Sequence, residues 1–276
     1  MDLVLLKIGA AIVLALAVLA IVGPAITPVD PSVQNLPLRL DGPSLRHPFG
    51  LDELGRDVFA RILVGARISF FVAIVVVGVS SVVGTLLGAV AGYFGGWIDD
   101  VISRITDTLM AFPGLLLAIA LVAVLGPSLA NTLFALTAIG WVGFARLVRG
   151  QVLRAREFEY VQAARALGAT TTRVLLRHVV PSTVPAILVQ ATLGMAGAVI
   201  SEAALSFLGL GVQPPTPSWG TMLSGGRVHL LDAPHLTVFP GVAIALLVLG
   251  FNFLGDGLRD LTDPKQRQAS SAGAPA

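Results

Sequence analysis

Apolar runs of about twenty residues alternate with shorter polar stretches along most of this chain, and about twenty is what a helix needs to cross a bilayer. Six runs meet that length: residues 3–22, interrupted by Lys7; 68–91, free of charge; and, with approximate limits, 101–125, 129–147, 183–208 and 236–254. The third run carries Arg104 and Asp107 near its start, three residues apart and so placed to pair on one helix face. The first run could pass for the core of a secretory leader. No small-residue cleavage site follows it, however, and Pro24 comes directly after, so a retained first span is expected.

Composition agrees with the pattern. Hydrophobic residues make up 55% of the 276, charged residues 12%, and the mean hydropathy is +0.86. A soluble domain carries about 25% charged residues, so lipid is the solvent this surface suits. The expected fold class is an all-α membrane protein with about six transmembrane helices. Acidic and basic residues nearly balance at net +2, which gives no footprint for nucleic acid. There is no Cys, which excludes disulfides, thiolate metal sites and thiol catalysis. The four His (His47, His178, His229, His235) show no metal-ligand spacing, and no metal site is expected.

The basic residues set the orientation. With the N-terminus inside, twelve Lys and Arg fall on the cytoplasmic side and six outside. Seven of the sixteen Arg lie between Arg146 and Arg177. The expectation is a multi-pass protein of the bacterial plasma (inner) membrane with both termini cytoplasmic. The organisation read from this is a first span (1–23), an external loop (24–67), a five-helix core (68–256) containing a cytoplasmic loop (150–181), and a cytoplasmic tail (257–276).

The external loop opens Pro-rich (Pro24, Pro28, Pro31, Pro37), then places Val58, Phe59, Ile62, Leu63 and Ala66 at helical spacing. That suits an amphipathic helix at the outer membrane surface; a simple extension of the second span is the alternative. Gly84, Gly88 and Gly92 recur every four residues, with Gly96 continuing the series, and would let a second helix approach closely.

The loop 150–181 is too polar to span and too long for a turn. Residues 151–167 are good helix formers and Gly168 ends them. Thr170, Thr171 and Thr172 offer N-cap hydroxyls for a second short helix that stops before Pro181. Ala163, Ala164 and Ala166 make the first helix smooth enough to enter a partner's groove. A basic surface on anionic lipid is the plainer reading of the same arginines.

The segment EYVQAARALGATTTRVLLRHVVP (159–181) resembles the Glu-Ala-Ala loop of permease subunits of ATP-binding-cassette importers. Ala163, Ala164, Gly168 and Pro181 match that pattern at its spacing, while Gln162, His178 and Val180 replace its Glu, Ile and Leu. Glu159 is the nearby carboxylate that could stand in for the missing Glu. Residues 47–70, 91–100, 202–223 and 251–264 are similar to the dipeptide/oligopeptide/nickel branch, to its C-type subunit.

The resemblance implies a type I importer permease fold paired with a homologous B-type permease. It also implies two cytoplasmic ATPase subunits and an extracytoplasmic solute-binding protein. In it the helix around Gln162 to Gly168, with Glu159, Arg165 and Pro181, would couple to an ATPase. No phosphate-binding loop occurs here, and Lys stands only at positions 7 and 265. The chain is therefore expected to be no enzyme and to hold no cofactor, ATP and Mg²⁺ belonging to the partners.

Charge within a span is costly, which singles out Glu202 near the outer end of the fifth run, as a gate or as a packing contact. Gln190 and Asn252, also within spans, are expected to make interhelical hydrogen bonds. Pro214, Pro215, Pro217 and Trp219 suit either a rigid outer surface for the binding protein or a loop anchored by an interfacial Trp. Di- or oligopeptides are the expected cargo, with nickel, glutathione or opines as alternatives. An ATP-independent transporter and a membrane scaffold without transport are the other classes.

Overall fold

The computed structural model describes residues 2–27 and 29–262. Pro28 and the tail residues 263–276, with Lys265 and Arg267, lie outside them. Among the described residues the regular structure is helical, with one isolated bridge between Leu51 and Asp57. The helices are α1 (Asp2–Ile26), α2 (Val58–Phe94), α3 (Gly96–Met110), α4 (Gly114–Leu125), α5 (Leu129–Ala155), α6 (Glu159–Ala166), α7 (Thr171–Val174), α8 (Val180–Phe207), α9 (Trp219–Gly226) and α10 (His235–Thr262).

Five helices or helical runs are long and apolar enough to cross a membrane, and the pair α3 and α4 supplies a sixth only when taken together. The expected third span is thus broken: α3 and α4 meet at 85°. The physical reason is Pro113, which serves as the N-cap of α4 and cannot donate into a continued helix. The pairing predicted within that run is also absent. Asp107 bonds instead to Arg146 of α5, and Asp99 of α3 accepts two bonds from Arg149, at 2.5 and 2.6 Å.

Topology shows that the broken pair recrosses. Gly84 lies against Trp141, Gly88 against Ala145, and Gly92 against Arg149 and Val152. Partner numbers rise together, so α2 and α5 run parallel, and the chain between them must return to the starting side. It does so with α3 beside the last turns of α5, and with α4 running back to where Asn131 donates to Leu125's carbonyl at 3.0 Å. A side chain on these glycines would strike backbone: on Gly92 its first carbon would sit 2.8 Å from Arg149's carbonyl oxygen. Gly96 lies outside the series, past the helix break at Gly95, with open space around it.

α2 begins ten residues earlier than the apolar run suggests. Asp57 caps it, accepting from the Ala60 amide at 2.8 Å. Val58, Ala60, Ile62, Leu63 and Ala66 are buried in protein, so the amphipathic surface helix is replaced by the first turns of the second span. Its polar side is no lipid-facing stripe, because Arg61 is itself buried and turned to Asp52 at 3.4 Å.

α1 packs antiparallel to α10, Gly9 against Leu254 and Gly257 against Leu6. α8 runs antiparallel to α2, with Gly194 against Val77 at mid-length and Trp219, just beyond its end, against Gly65. The start of α1 and the ends of α2, α5 and α10 therefore share one face of the bundle. Residues 257–262, placed in the tail by sequence, continue α10.

Candidate functional site

The segment from Arg156 to Val179 stands on that shared face. α5 does not run on into the loop helix as the propensity of 151–167 suggests. It ends at Ala155, and α6 restarts at Glu159. Gln162 helps hold the bend between them, its amide donating to Glu157's carbonyl at 3.1 Å. A carboxylate could not make that bond, so the Gln in place of the pattern's Glu has a local structural use.

α6 closes in a Schellman turn. The Ala169 amide donates to Ala164's carbonyl at 3.0 Å and the Gly168 amide to Arg165's at 2.9 Å. Gly168 sits at φ +83° with open space around it, so its backbone angle, not crowding, favours glycine. Thr170 is the N-cap of α7 but its hydroxyl makes no capping bond. The second helix does not stop before Pro181 either. A π-helical turn over Leu175–Val179 joins α7 to α8, and Pro181 falls in the first turn of α8, where a missing N–H is tolerated.

The loop has two unlike faces. Val161 and Val174 point inward and are buried with Ala89 of α2, Val148 and Val152 of α5, and Val179; Ala164 packs partly buried against them. Two cations tie the same region down. The Arg165 guanidinium lies 5.2 Å from the centre of the Tyr93 ring, and Arg156 donates to Gly92's carbonyl at 3.3 Å. On the outward side Glu159, Gln162, Ala163 and Ala166 are exposed, and Leu167 at the tip is 88% exposed. Pro181 is exposed beyond them. Of the residues named from sequence, Ala164 serves the inner face, Arg165 reaches back to Tyr93 from an exposed position, and Gln162 and Ala163 lie on the outer face. Sequence reading missed Leu167, Tyr93 and Arg156. An apolar residue directly before a helix-ending glycine is the one signal that could have pointed to Leu167.

Arg146 and Arg149 also leave the presumed partner surface, since both are engaged by α3. At the opposite end, Glu202 is fully buried and accepts from Ser206 at 2.7 Å, while Ser206's oxygen takes the Val212 amide at 3.2 Å. The carboxylate thus backs a fastening between α8 and the outer loop. Trp219 is not an interfacial anchor: it is 1% exposed, and its indole N–H donates to Ile62's carbonyl at 3.0 Å. Arg56 bridges Asp52 at 2.7 Å and Glu53 at 3.0 Å beside the Pro214–Thr216 turn, around a cavity of about 120 Å³.

A six-crossing helical bundle with a short helix projecting from one face is the architecture of a multi-pass membrane permease. Residues 84–268 match the family described as binding-protein-dependent transport system inner membrane component, and the chain belongs to that family, the permeases of ATP-binding-cassette transporters. It is 48% identical to the dipeptide transport system permease protein DppC of Alkalihalophilus pseudofirmus, over 94% of this chain and 86% of that one. It is 51% identical to the glutathione transport system permease protein GsiD of Escherichia coli O6:K15:H31, over 82% of this chain and 74% of that one. The GsiD protein of Shigella boydii serotype 4 gives the same figures. These relatives are transport permeases, and membership implies ATPase and other subunits working beside this one in the bacterial inner membrane.

Proposed function

We propose that this chain forms half of the translocation pathway for di- or oligopeptides, and that α6 is the helix by which an ATPase subunit drives it. The observation that supports this best is the division of α6 into a buried, tethered inner face and a bare outer face ending in Leu167. A helix fixed to the ends of α2, α5 and α8 on one side and offered to solvent on the other passes a push to the spans. Glu159, Gln162, Ala163 and Leu167 form the contact surface, while Ala164, Arg165 and Gly168 hold its shape. The face bearing both helix ends and α6 is the cytoplasmic one, in keeping with the excess of Lys and Arg there.

ATP and Mg²⁺ are held by the partner ATPases, a B-type permease completes the pathway, and an extracytoplasmic binding protein delivers cargo to the outer surface. Closure of the ATPases favours one of two arrangements of the spans. The identity to a glutathione permease supports a second cargo, a tripeptide that carries amide units but has a γ-linked first residue. Uptake by proteoliposomes holding the full complex, with either binding protein, separates the two. Deleting residues 162–168 is expected to abolish co-purification with the ATPase and cargo uptake; retention of both overturns the coupling role.

A further inference from the structure

At mid-length on α2, α5 and α8 lies a cavity of about 240 Å³, room for roughly eight waters at ~30 Å³ each. Its wall includes Ser80, Gly140, Gln190, Gly194, Gly197 and Ser201, and none of the residues lining it is charged. Two observations mark it as more than a packing gap. Gln190 and Ser201 bring an amide and a hydroxyl to the same wall. The cavity also borders the break of the third span, where Gly114 and Leu115 line it. Interrupted helices are tolerated at such depth where they are buried in protein or border a water-filled space.

We infer that this cavity is a station on the translocation path that holds cargo by its peptide backbone. The Gln190 amide both donates and accepts and so matches one peptide unit, with Ser201 as a neighbouring partner; the Ser80 hydroxyl is packed behind Gly140. The wall carries no fixed charge that would select one sign of cargo side chain. Gln190, which sequence alone assigns to a helix–helix contact, becomes a cargo-binding residue. This inference rests on the peptide-import reading above.

The test uses the complete complex, with its partner permease, ATPases and binding protein, in proteoliposomes, with a labelled dialanine peptide as probe. Gln190→Leu is expected to lower uptake about tenfold, the loss of a hydrogen bond made on the path, with assembly of the full complex, read by co-purification of its subunits, unchanged. Gln190→Asn should recover part of the uptake. Unchanged uptake in Gln190→Leu, or loss of uptake together with loss of subunit co-purification, overturns the station. Absence of peptide uptake by the unaltered complex defeats the import reading itself.

Gly197→Cys gives a second readout that does not depend on Gln190 variants folding. A side chain there meets nothing within 4 Å, and the chain has no other cysteine. Labelling of this chain by a membrane-impermeant maleimide should be slowed by the peptide. Labelling indifferent to peptide, or seen only with a lipid-soluble reagent, places the position outside the path and overturns the inference.

Discussion

The outer loops and the α6–α7 segment at the inner end are fastened by different chemistry, although α3 and α5 are also joined by ion pairs at the inner end. At the outer end, Asp52, Arg56, Glu53 and Arg61 form a connected ion network, His47 bonds Asp57 at 2.8 Å, and Trp219 is locked between Gly65 and Ile62. At the inner end, α6 and α7 rest on valines and alanines with two arginine tethers, and their far side carries no packing. Buried directional bonds fix one geometry, because breaking them strands a charge or a donor. Aliphatic packing is less directional. The outer end is thus built to keep its shape, and the inner end is built to be gripped.

That contrast can be broken experimentally, beginning at the outer end. Trp219→Ala removes a buried indole and its bond to Ile62's carbonyl, and should cost ~3–5 kcal/mol, read as a large fall in the thermal unfolding midpoint in detergent. Asp52→Asn weakens the bonds to Arg56 and Arg61 and should cost about 2 kcal/mol by the same assay. A small shift in either would show the outer end to be no more rigid than the inner.

The inner end should respond in function instead. Leu167→Asp is expected to leave the midpoint nearly unchanged while weakening ATPase association tenfold or more, ~1.4 kcal/mol or above, measured by titrating the purified ATPase. Loss of stability instead would make Leu167 a packing residue. Arg165→Ala removes a cation–π contact of ~0.5–1 kcal/mol. It should reduce uptake about two- to fivefold with association intact, since the tether and not the contact surface is lost.

Much of this plan is readable from sequence. The six crossings follow from run length alone, and the turn at Gly168 follows from a glycine ending a run of helix formers. What escapes is pairing across distance. Asp107 stands three residues from Arg104, yet its partner is 39 residues away, and Asp99 reaches Arg149 across 50. Trp219 beside prolines reads as a surface anchor, and only the space left by Gly65, far away in the chain, explains its burial. Pro113 is a visible breaker in the third run, but the apolar residues on both sides of it mask the break. Arg61 gives α2's first turns an amphipathic pattern because sequence cannot show Asp52 waiting beneath it.

The 37 residues of α2 make a rod of ~55 Å at 1.5 Å per residue. Its lower end is clasped by Arg156 and Tyr93's contact with Arg165; its upper end holds Asp57, Arg61 and the Trp219 socket. No relay of side chains has to be thrown for news to travel between those ends. Tilting such a lever by ~10° swings its tip by ~10 Å relative to a fixed base, a length set by the same rise per residue. Rigidity at the outer surface is then what lets a small motion beneath the membrane be felt above it.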